Sequence, residues 1–299
     1  MQEIELKLVV PVAQTENAVA ILTRLLGPVS ETQDLVSIYY DTSACDLRRQ
    51  RMALRLRKQG DQWIQTLKGG GGVQGGLHSR NEWNWPVASQ KLDEACLVEA
   101  GWRSDIPIET LQPVFTTAFE RSVWWSRYPG IEIEVALDQG RVYSNVDQIP
   151  LNEIELELKA GKPEDLFALA DQIAEQVPCW PGFVSKAQKG YALGVSSDPV
   201  TYPDPRNLDE AMRRVSVYLD SVNAGLNTAE TWPEYLLNLT WLRVFLAHRD
   251  LSLDQAILAE MQRMLRALQS QGIETLSASL MNSVRVGQIC LKLAQVKET

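Results

Sequence analysis

Like charges two residues apart recur along this chain. Glu3, Glu5 and Lys7 alternate with Ile4 and Leu6. Arg55 and Arg57 alternate with Leu54 and Leu56, and Glu132 and Glu134 with Ile133 and Val135. Glu153, Glu155, Glu157 and Lys159 alternate with Ile154, Leu156 and Leu158. Guanidinium and ammonium groups suit phosphate oxygens, and an arginine can hold two at once. Paired carboxylates suit Mg²⁺ or Mn²⁺, hard ions that take oxygen ligands. A polyphosphate carried with a divalent metal satisfies both sets. Metal-assisted phosphoryl transfer to water is the reaction class that follows.

The same alternation names the elements that must hold these groups. Period two is the mark of a β-strand with one charged and one apolar face. Strands are expected at 2–10, 36–40, 52–58, 62–68, 79–85, 116–128, 131–137 and 151–159, with Val184–Leu193 as a further candidate. Helices are expected at Thr15–Leu26, stopped by Gly27-Pro28, at Ser89–Ala100 and at Pro163–Val177. The glycine-rich stretch between Lys68 and His78 has no G-K-[ST] ending and lies between strands, so it reads as a flexible hairpin connection with His78 in the loop. Charge of one sign on neighbouring positions costs energy unless something bridges it. The apolar faces need cover, which amphipathic helices supply. An open sheet with a solvated face of ion pairs is the plain alternative. A sheet of about eight strands closed on itself meets both demands. The fold class expected is α+β: an eight-stranded antiparallel β-barrel with a charged lumen and flanking helices, followed by an all-α region.

Composition bounds the rest. The chain has 299 residues, 45% hydrophobic and 22% charged, the mix of a soluble globular protein. Its formal net charge of −9 argues against a nucleic-acid partner. No apolar run is long enough for a membrane span, and the N-terminus lacks the form of a signal peptide. Cys45, Cys96, Cys179 and Cys290 have no metal or disulfide spacing, and a cytoplasmic location is expected. Composition shifts near residue 200. Residues 198–206 hold three prolines and read as a linker between a domain at 1–197 and a helical one at 207–299. Helices are expected near 207–224, 232–249, 252–271 and 274–296. Residues 1–200 carry 19 basic and 27 acidic side chains, and residues 201–299 carry 10 and 11.

Glu3-x-Glu5-x-Lys7 resembles the N-terminal signature of the CYTH superfamily, the triphosphate tunnel metalloenzymes. Tyr39-Tyr40-Asp41-Thr42, Leu54-Arg55-Leu56-Arg57, Thr66-Leu67-Lys68, Arg80-x-Glu82, Arg121, Glu134-x-x-x-Asp138, Glu153-x-Glu155-x-Glu157 and Ser185-Lys186 match its later motifs in order, over roughly residues 1–195. The resemblance implies that Lys7, Arg55, Arg57, Lys68, Arg80, Arg121 and Lys186 hold a triphosphate. It implies that Glu3, Glu5, Glu134, Asp138, Glu155 and Glu157 hold Mg²⁺ or Mn²⁺ or position water, with Glu82 and Glu132 as weaker candidates. The catalytic set expected is Glu5, Lys7, Tyr39 and Glu157. One departure is clear. Some small members carry a lysine two residues before the arginine matching Arg121, paired with a strand-two tyrosine, and here Phe119 stands there. Carboxylate-oriented water at the metal is then the expected nucleophile. The tail resembles the opening of a CHAD domain, a helical module linked to polyphosphate, but it holds one histidine, His248, where that module is known for several.

The expected activity is metal-dependent hydrolysis of inorganic tripolyphosphate to pyrophosphate and phosphate. The competitors are an organic triphosphatase acting on thiamine triphosphate or a nucleotide, an adenylate cyclase of the same fold, and a module that binds polyphosphate without cleaving it. The tail is a candidate polyphosphate-binding region. Trp232, Trp241 and Phe245 read as its core.

Overall fold

The computed structural model describes residues 2–100, 106–128, 130–145, 147–193, 205–224, 240–242 and 282–296. Eight strands follow the alternating segments: β1 (Gln2–Val9), β2 (Glu31–Asp41), β3 (Met52–Gln59), β4 (Gln62–Gln74), β5 (Leu77–Val87), β6 (Gln112–Tyr128), β7 (Ile131–Tyr143) and β8 (Gln148–Ala160). They hydrogen-bond in the order β5-β4-β3-β2-β6-β7-β8-β1, and β1 pairs back onto β5, so the sheet closes. Every pairing is antiparallel. Closure removes the free edges. A short ninth strand, β9 (Trp180–Pro181), pairs with Leu8 and Val9 of β1, beyond the stretch of β1 that pairs with β5.

The two faces of the barrel sort as the alternation requires. The outward residues Leu6, Leu8, Trp124, Ile133, Val135, Ile154 and Leu156 are buried beneath α1 (Thr15–Leu26) and α4 (Pro163–Ala174), which supply Ala18, Ile21, Leu22, Leu166, Ala170 and Ile173. On another side Leu54 and Leu67 pack with Leu47 of α2 (Asp46–Arg49) and Leu97 of α3 (Glu94–Glu99). Fully burying such a side chain is worth about 1.5–3 kcal/mol, so the apolar jacket drives closure around a costly charged interior.

Four expectations are corrected. The glycine stretch does not form a loop. Gly69–Gln74 continue β4 past a bulge between Gly69 and Gly72. At Gly71, with φ +81°, a Cβ would lie 1.8 Å from the Ser79 carbonyl oxygen, so only glycine lets β4 run this close to β5. The turn itself is Gly75-Gly76, both at positive φ, as a tight two-residue hairpin needs. His78 is therefore a strand residue, 1% exposed. Residues near 184–193 form no strand but α5 (Lys186–Ala192), started by a capping box in which Ser185 and Gln188 bond each other's backbone N–H. The helix expected at Ser89–Ala100 is confined to α3, whose cap is Asp93.

Beyond residue 206, α6 (Leu208–Asn223) begins with the Asn207 side chain accepting from Glu210 N, and α7 spans Val284–Ala294. Both pack on the barrel exterior. Leu208, Met212, Val215, Tyr218, Val286, Ile289 and Leu293 bury Val9, Trp180 and Phe183. Asp209 accepts from Gly75 N at 2.7 Å, and Ser216 donates to Pro181 O at 2.8 Å. Trp241 packs against the same cluster. Of the helix expected near 232–249 only 240–242 are described, and they are helical; the rest of it, the helix expected near 252–271, His248, Trp232, Phe245 and most of the linker lie outside the described residues. Among the described residues, no helix is long and apolar enough to cross a membrane. All four cysteines are free.

Candidate active site

Burial along β8 gives the tunnel a direction. Leu151 and Glu153 are buried, Glu155 is 9% exposed, Glu157 is half-buried, and Lys159 reaches solvent. At the deep end, Ala187 and Tyr191 of α5 pack among Leu35, Phe115, Phe119, Val142 and Leu151, which face inward from four strands. The helix stops that end of the barrel. Tyr191 also donates to Asp41 at 2.7 Å, and Asp41 accepts from Thr42 N, Leu47 N and Arg48 N, holding the start of α2. The Asp41-Thr42 motif thus has a local structural task.

Just above the stop lies a knot of paired charge. Lys186 reaches Asp138, Glu153 and Glu155 at 2.6, 2.7 and 2.8 Å. Lys189 bonds Glu153 at 3.0 Å. Arg121 forks onto Asp138 with two bonds of 2.7 Å and reaches Glu155 at 2.5 Å. Lys7 bonds Glu155 and stands 3.1 Å from Glu5. Burial opposes ionisation of Glu153 and Glu155, yet Lys186 and its fellow cations outweigh it and hold both carboxyls well below the ordinary range. Burial likewise works against the Lys7 ammonium, and Glu155 and Glu5 push it above its ordinary range.

The β3 wall is different. Arg57 donates its Nε to Ser37 at 3.0 Å. Burial, then Arg55 and Arg121, pushes Arg57 down to about 9, so it stays charged at neutral pH with weak compensation. Arg55 stands 3.9 Å from Glu82 and beside Tyr39, and its buried Nε has no partner. Arg57, Arg121 and Lys186 lie 5.7, 5.8 and 5.2 Å from the Phe119 ring. This explains the departure at 119. A lysine there would add a fourth cation to three, whereas a ring face attracts them.

At the mouth, Lys68 joins Glu3 and Glu82 at 2.8 and 2.9 Å. Burial, with Glu5 and Glu82 adding to it and Lys68 opposing, raises Glu3 to about 7. Lys159 bonds Glu157 at 2.5 Å and Glu134 at 3.3 Å.

The tunnel lining brings together Glu3, Glu5, Lys7, Tyr39, Arg55, Arg57, Lys68, Arg80, Glu82, Arg121, Glu155, Glu157 and Lys186. Asp138 lies beneath the lining, fully buried under Arg121 and Lys186. Glu134 stands beside Glu157 through strand register. Glu132 is outside, in an exposed pair with Arg127. Sequence reasoning assigned no role to Glu153, Lys189 or His78. Parity with Glu155 pointed to Glu153, and the Ser185-x-x-Gln188 cap could have placed Lys189 one helical turn from Lys186.

The donor set bears on a divalent ion in two ways. Asp138, Glu153 and Glu155 have carboxylate oxygens within 4.8 Å of one another, but cations of the chain already hold them. Glu5 and Glu157 are register partners, as are Glu157 and Glu134, which sets three carboxylates side by side on β1, β8 and β7. Burial, with Glu134 and Glu5 adding to it, raises Glu157 despite Lys159. Lys7 and Lys159 pair with these three carboxylates, and their oxygen chemistry is of the kind that suits a divalent metal.

The CYTH domain family profile matches residues 1–191. A curated relative, the inorganic triphosphatase of Haemophilus influenzae, is 34% identical over 195 residues, which are 65% of this chain and 55% of that protein. The chain thus spans about half the length of that relative. Several solved structures are similar, and two of them serve as examples. One is HpAC1 of Hippeastrum, described as an adenylyl cyclase candidate with a dominant triphosphatase activity, with TM-score 0.49, 18% identity, 64% of this chain and 95% of that chain. The other is the PH1819 protein of Pyrococcus horikoshii, with TM-score 0.39, 18% identity, 58% of this chain and 89% of that chain. On the family match over most of its length, together with the closed barrel and its charged lumen, this chain belongs to the CYTH domain family.

Proposed function

We propose that the protein hydrolyses inorganic tripolyphosphate to pyrophosphate and phosphate with the help of a divalent metal. The observation that carries this reading is the under-compensated arginine wall. Arg55 and Arg57 face a tunnel whose lining is almost wholly charged, and oxygen ligands stand on other strands of the same tunnel. Among the described residues, the one aromatic ring in the lining is Tyr39 and the one aliphatic residue is Ala187. Such a lining suits a phosphate chain better than a substrate with a base or thiazolium ring.

Arg55 and Arg57 bind phosphoryl oxygens by charge-assisted, forked hydrogen bonds, and Tyr39 steadies Arg55. Lys7, Arg121 and Lys186, held rigidly by the knot, present positive charge at the deep end, where negative charge builds up on the transferred and leaving groups. Glu3, Glu5, Glu134 and Glu157 would hold the metal, which supplies Lewis-acid polarisation and charge neutralisation when bound. Glu5 and Glu157 orient the attacking water, and Glu157, raised by burial, takes its proton. The jacket of helices and the α5 stop exclude bulk water from all other approaches.

The test is phosphate release from tripolyphosphate, ATP and thiamine triphosphate with Mg²⁺ or Mn²⁺, then with EDTA. Release from tripolyphosphate, abolished by EDTA and far exceeding the other two, is the expected result. Faster release from ATP or thiamine triphosphate would replace the substrate. Tight tripolyphosphate binding with no release from any of them would make the tunnel a receptor.

A further inference from the structure

We propose that His78 is a positioning residue that aims Arg80 into the tunnel while leaving its charge unneutralised. Arg80 lines the tunnel, and the one hydrogen bond its guanidinium makes among the described residues goes from Nη2 to His78 Nδ1, at 2.9 Å. A guanidinium can only donate, so Nδ1 must be the acceptor and carry no proton. The proton is then on Nε2, which donates to the Gly182 carbonyl at 2.8 Å. Gly182 N in turn donates to Lys7 O at 2.8 Å. The imidazole is 1% exposed and wedged between β5 and the segment that follows β9, with both ring nitrogens used and one tautomer fixed. Burial, with Lys7 and Arg80 beside it, lowers His78 to about 4, in keeping with a neutral ring.

The choice of partner separates Arg80 from the ion-paired cations of the tunnel and sets it with Arg55 and Arg57. Lys68 has Glu3 and Glu82, Arg121 has Asp138 and Glu155, and Lys186 has three carboxylates. A carboxylate orients a cation but also cancels its field and competes with an incoming phosphate for its N–H groups. A neutral imidazole orients through one N–H and leaves the others, with the full charge, for the ligand. Arg80 is thereby a rigid cation at the tunnel wall, with no ion pair among the described residues. The bond to Gly182 ties its aim to the segment that leads into Ser185 and Lys186, so Arg80 and Lys186 share one support.

This rests on the reading of the tunnel as a phosphate site, and the test separates the two. Tripolyphosphate binding is measured by calorimetry for wild type, His78→Ala, His78→Asn, His78→Asp and Arg80→Ala. Asn places an acceptor oxygen where Nδ1 lies, and Asp has the same shape with a negative charge. His78→Ala is expected to weaken binding about tenfold, the loss of one charge-assisted hydrogen bond. His78→Asn is expected within about threefold of wild type, and His78→Asp is expected to be weaker than His78→Asn. In Arg80→Ala, adding His78→Ala is expected to change nothing further. Turnover of the Ala variant is expected to show a raised KM with kcat little changed. Equal loss in His78→Ala and His78→Asn, or full additivity with Arg80→Ala, would overturn the proposal. The chain has two histidines, so imidazole ¹⁵N spectra resolve them. An unprotonated Nδ1 that shifts in Arg80→Ala is expected, and a protonated Nδ1 would overturn it whether or not tripolyphosphate binds. Failure of the wild type to bind tripolyphosphate at all would count against the proposed function, while the nitrogen spectrum would still decide the His78–Arg80 bond.

Discussion

Two regions inside the barrel are built from the same kinds of residue and stand in opposite electrostatic states. In the deep knot, Lys186, Lys189, Arg121 and Lys7 share Asp138, Glu153 and Glu155, and every ion has a partner of opposite sign. On the β3 wall, Arg57 has a serine, and Arg55 has a carboxylate no closer than 3.9 Å. A buried charge without a partner is costly, and proteins keep one where a ligand will supply the missing charge. The knot is therefore built for rigidity and the wall for binding. Similar sequence motifs, paired like charges on alternating strand positions, gave both.

The largest effect that can break this contrast is on stability. Glu153→Ala leaves Lys186 and Lys189 buried with fewer partners, and a loss of about 3–5 kcal/mol is expected in denaturant unfolding. The pH sign follows from the same pairs. Glu153 and Glu155 are held below their ordinary value of 4.5, so their contribution is fully present above it and is lost as pH falls further towards their folded values. Wild type should lose stability below about pH 4.5 more steeply than Glu153→Ala. Equal acid limbs would mean that the knot contributes nothing.

Next in size, Arg57→Met should act on chemistry and not on the fold. Removal of a weakly compensated buried cation is expected to leave the thermal midpoint unchanged or raised. The same change should lower kcat/KM for tripolyphosphate about 10²-fold or more. A variant that unfolds without losing activity per folded molecule would put the wall in the structural class with the knot.

The mouth sharpens the comparison, because its pH sign is reversed. Glu3 is raised to about 7, so ionising it costs the folded state as pH climbs from 4.5 through 7. A loss on the order of 1 kcal/mol is expected across that window, absent in Glu3→Gln and relieved by Mg²⁺. Thermal midpoints across the window, with and without the ion, would read it, and a flat wild-type profile would sink the idea. The smallest effect is the control. Arg127 and Glu132 form a pair 70% and 40% exposed, and Arg127→Ala should change stability by less than about 0.5 kcal/mol.

Much of this was legible in the chain. The Glu3-x-Glu5-x-Lys7 and Glu153-x-Glu155-x-Glu157 runs announce strands with a charged face, because side chains alternate locally along any strand. The apolar partners Leu6, Ile133 and Leu156 announce that the other face is covered. Thr15–Leu26 was readable from its periodicity and the Gly27-Pro28 stop, and Asn207-x-x-Glu210 from its cap. Each of these signals depends on residues within a turn or two of each other.

What the tertiary structure alone decided is which charges are already spent. Asp138 meets Lys186 across 48 positions of chain, and Glu153 meets Lys7 and Lys189, through register and depth that no single segment encodes. Glycines 69–72 read as a loop because glycine lacks intrinsic strand preference. They are strand because β4 pairs with β5 through them, and at Gly71 the Ser79 carbonyl leaves no room for a Cβ. His78 read as a loop residue until the β4–β5 hairpin placed it between Arg80 and Gly182. Local alternation says that a charge faces inward. Whether it is free to bind is settled only by what long-range pairing brings within about 3 Å of it.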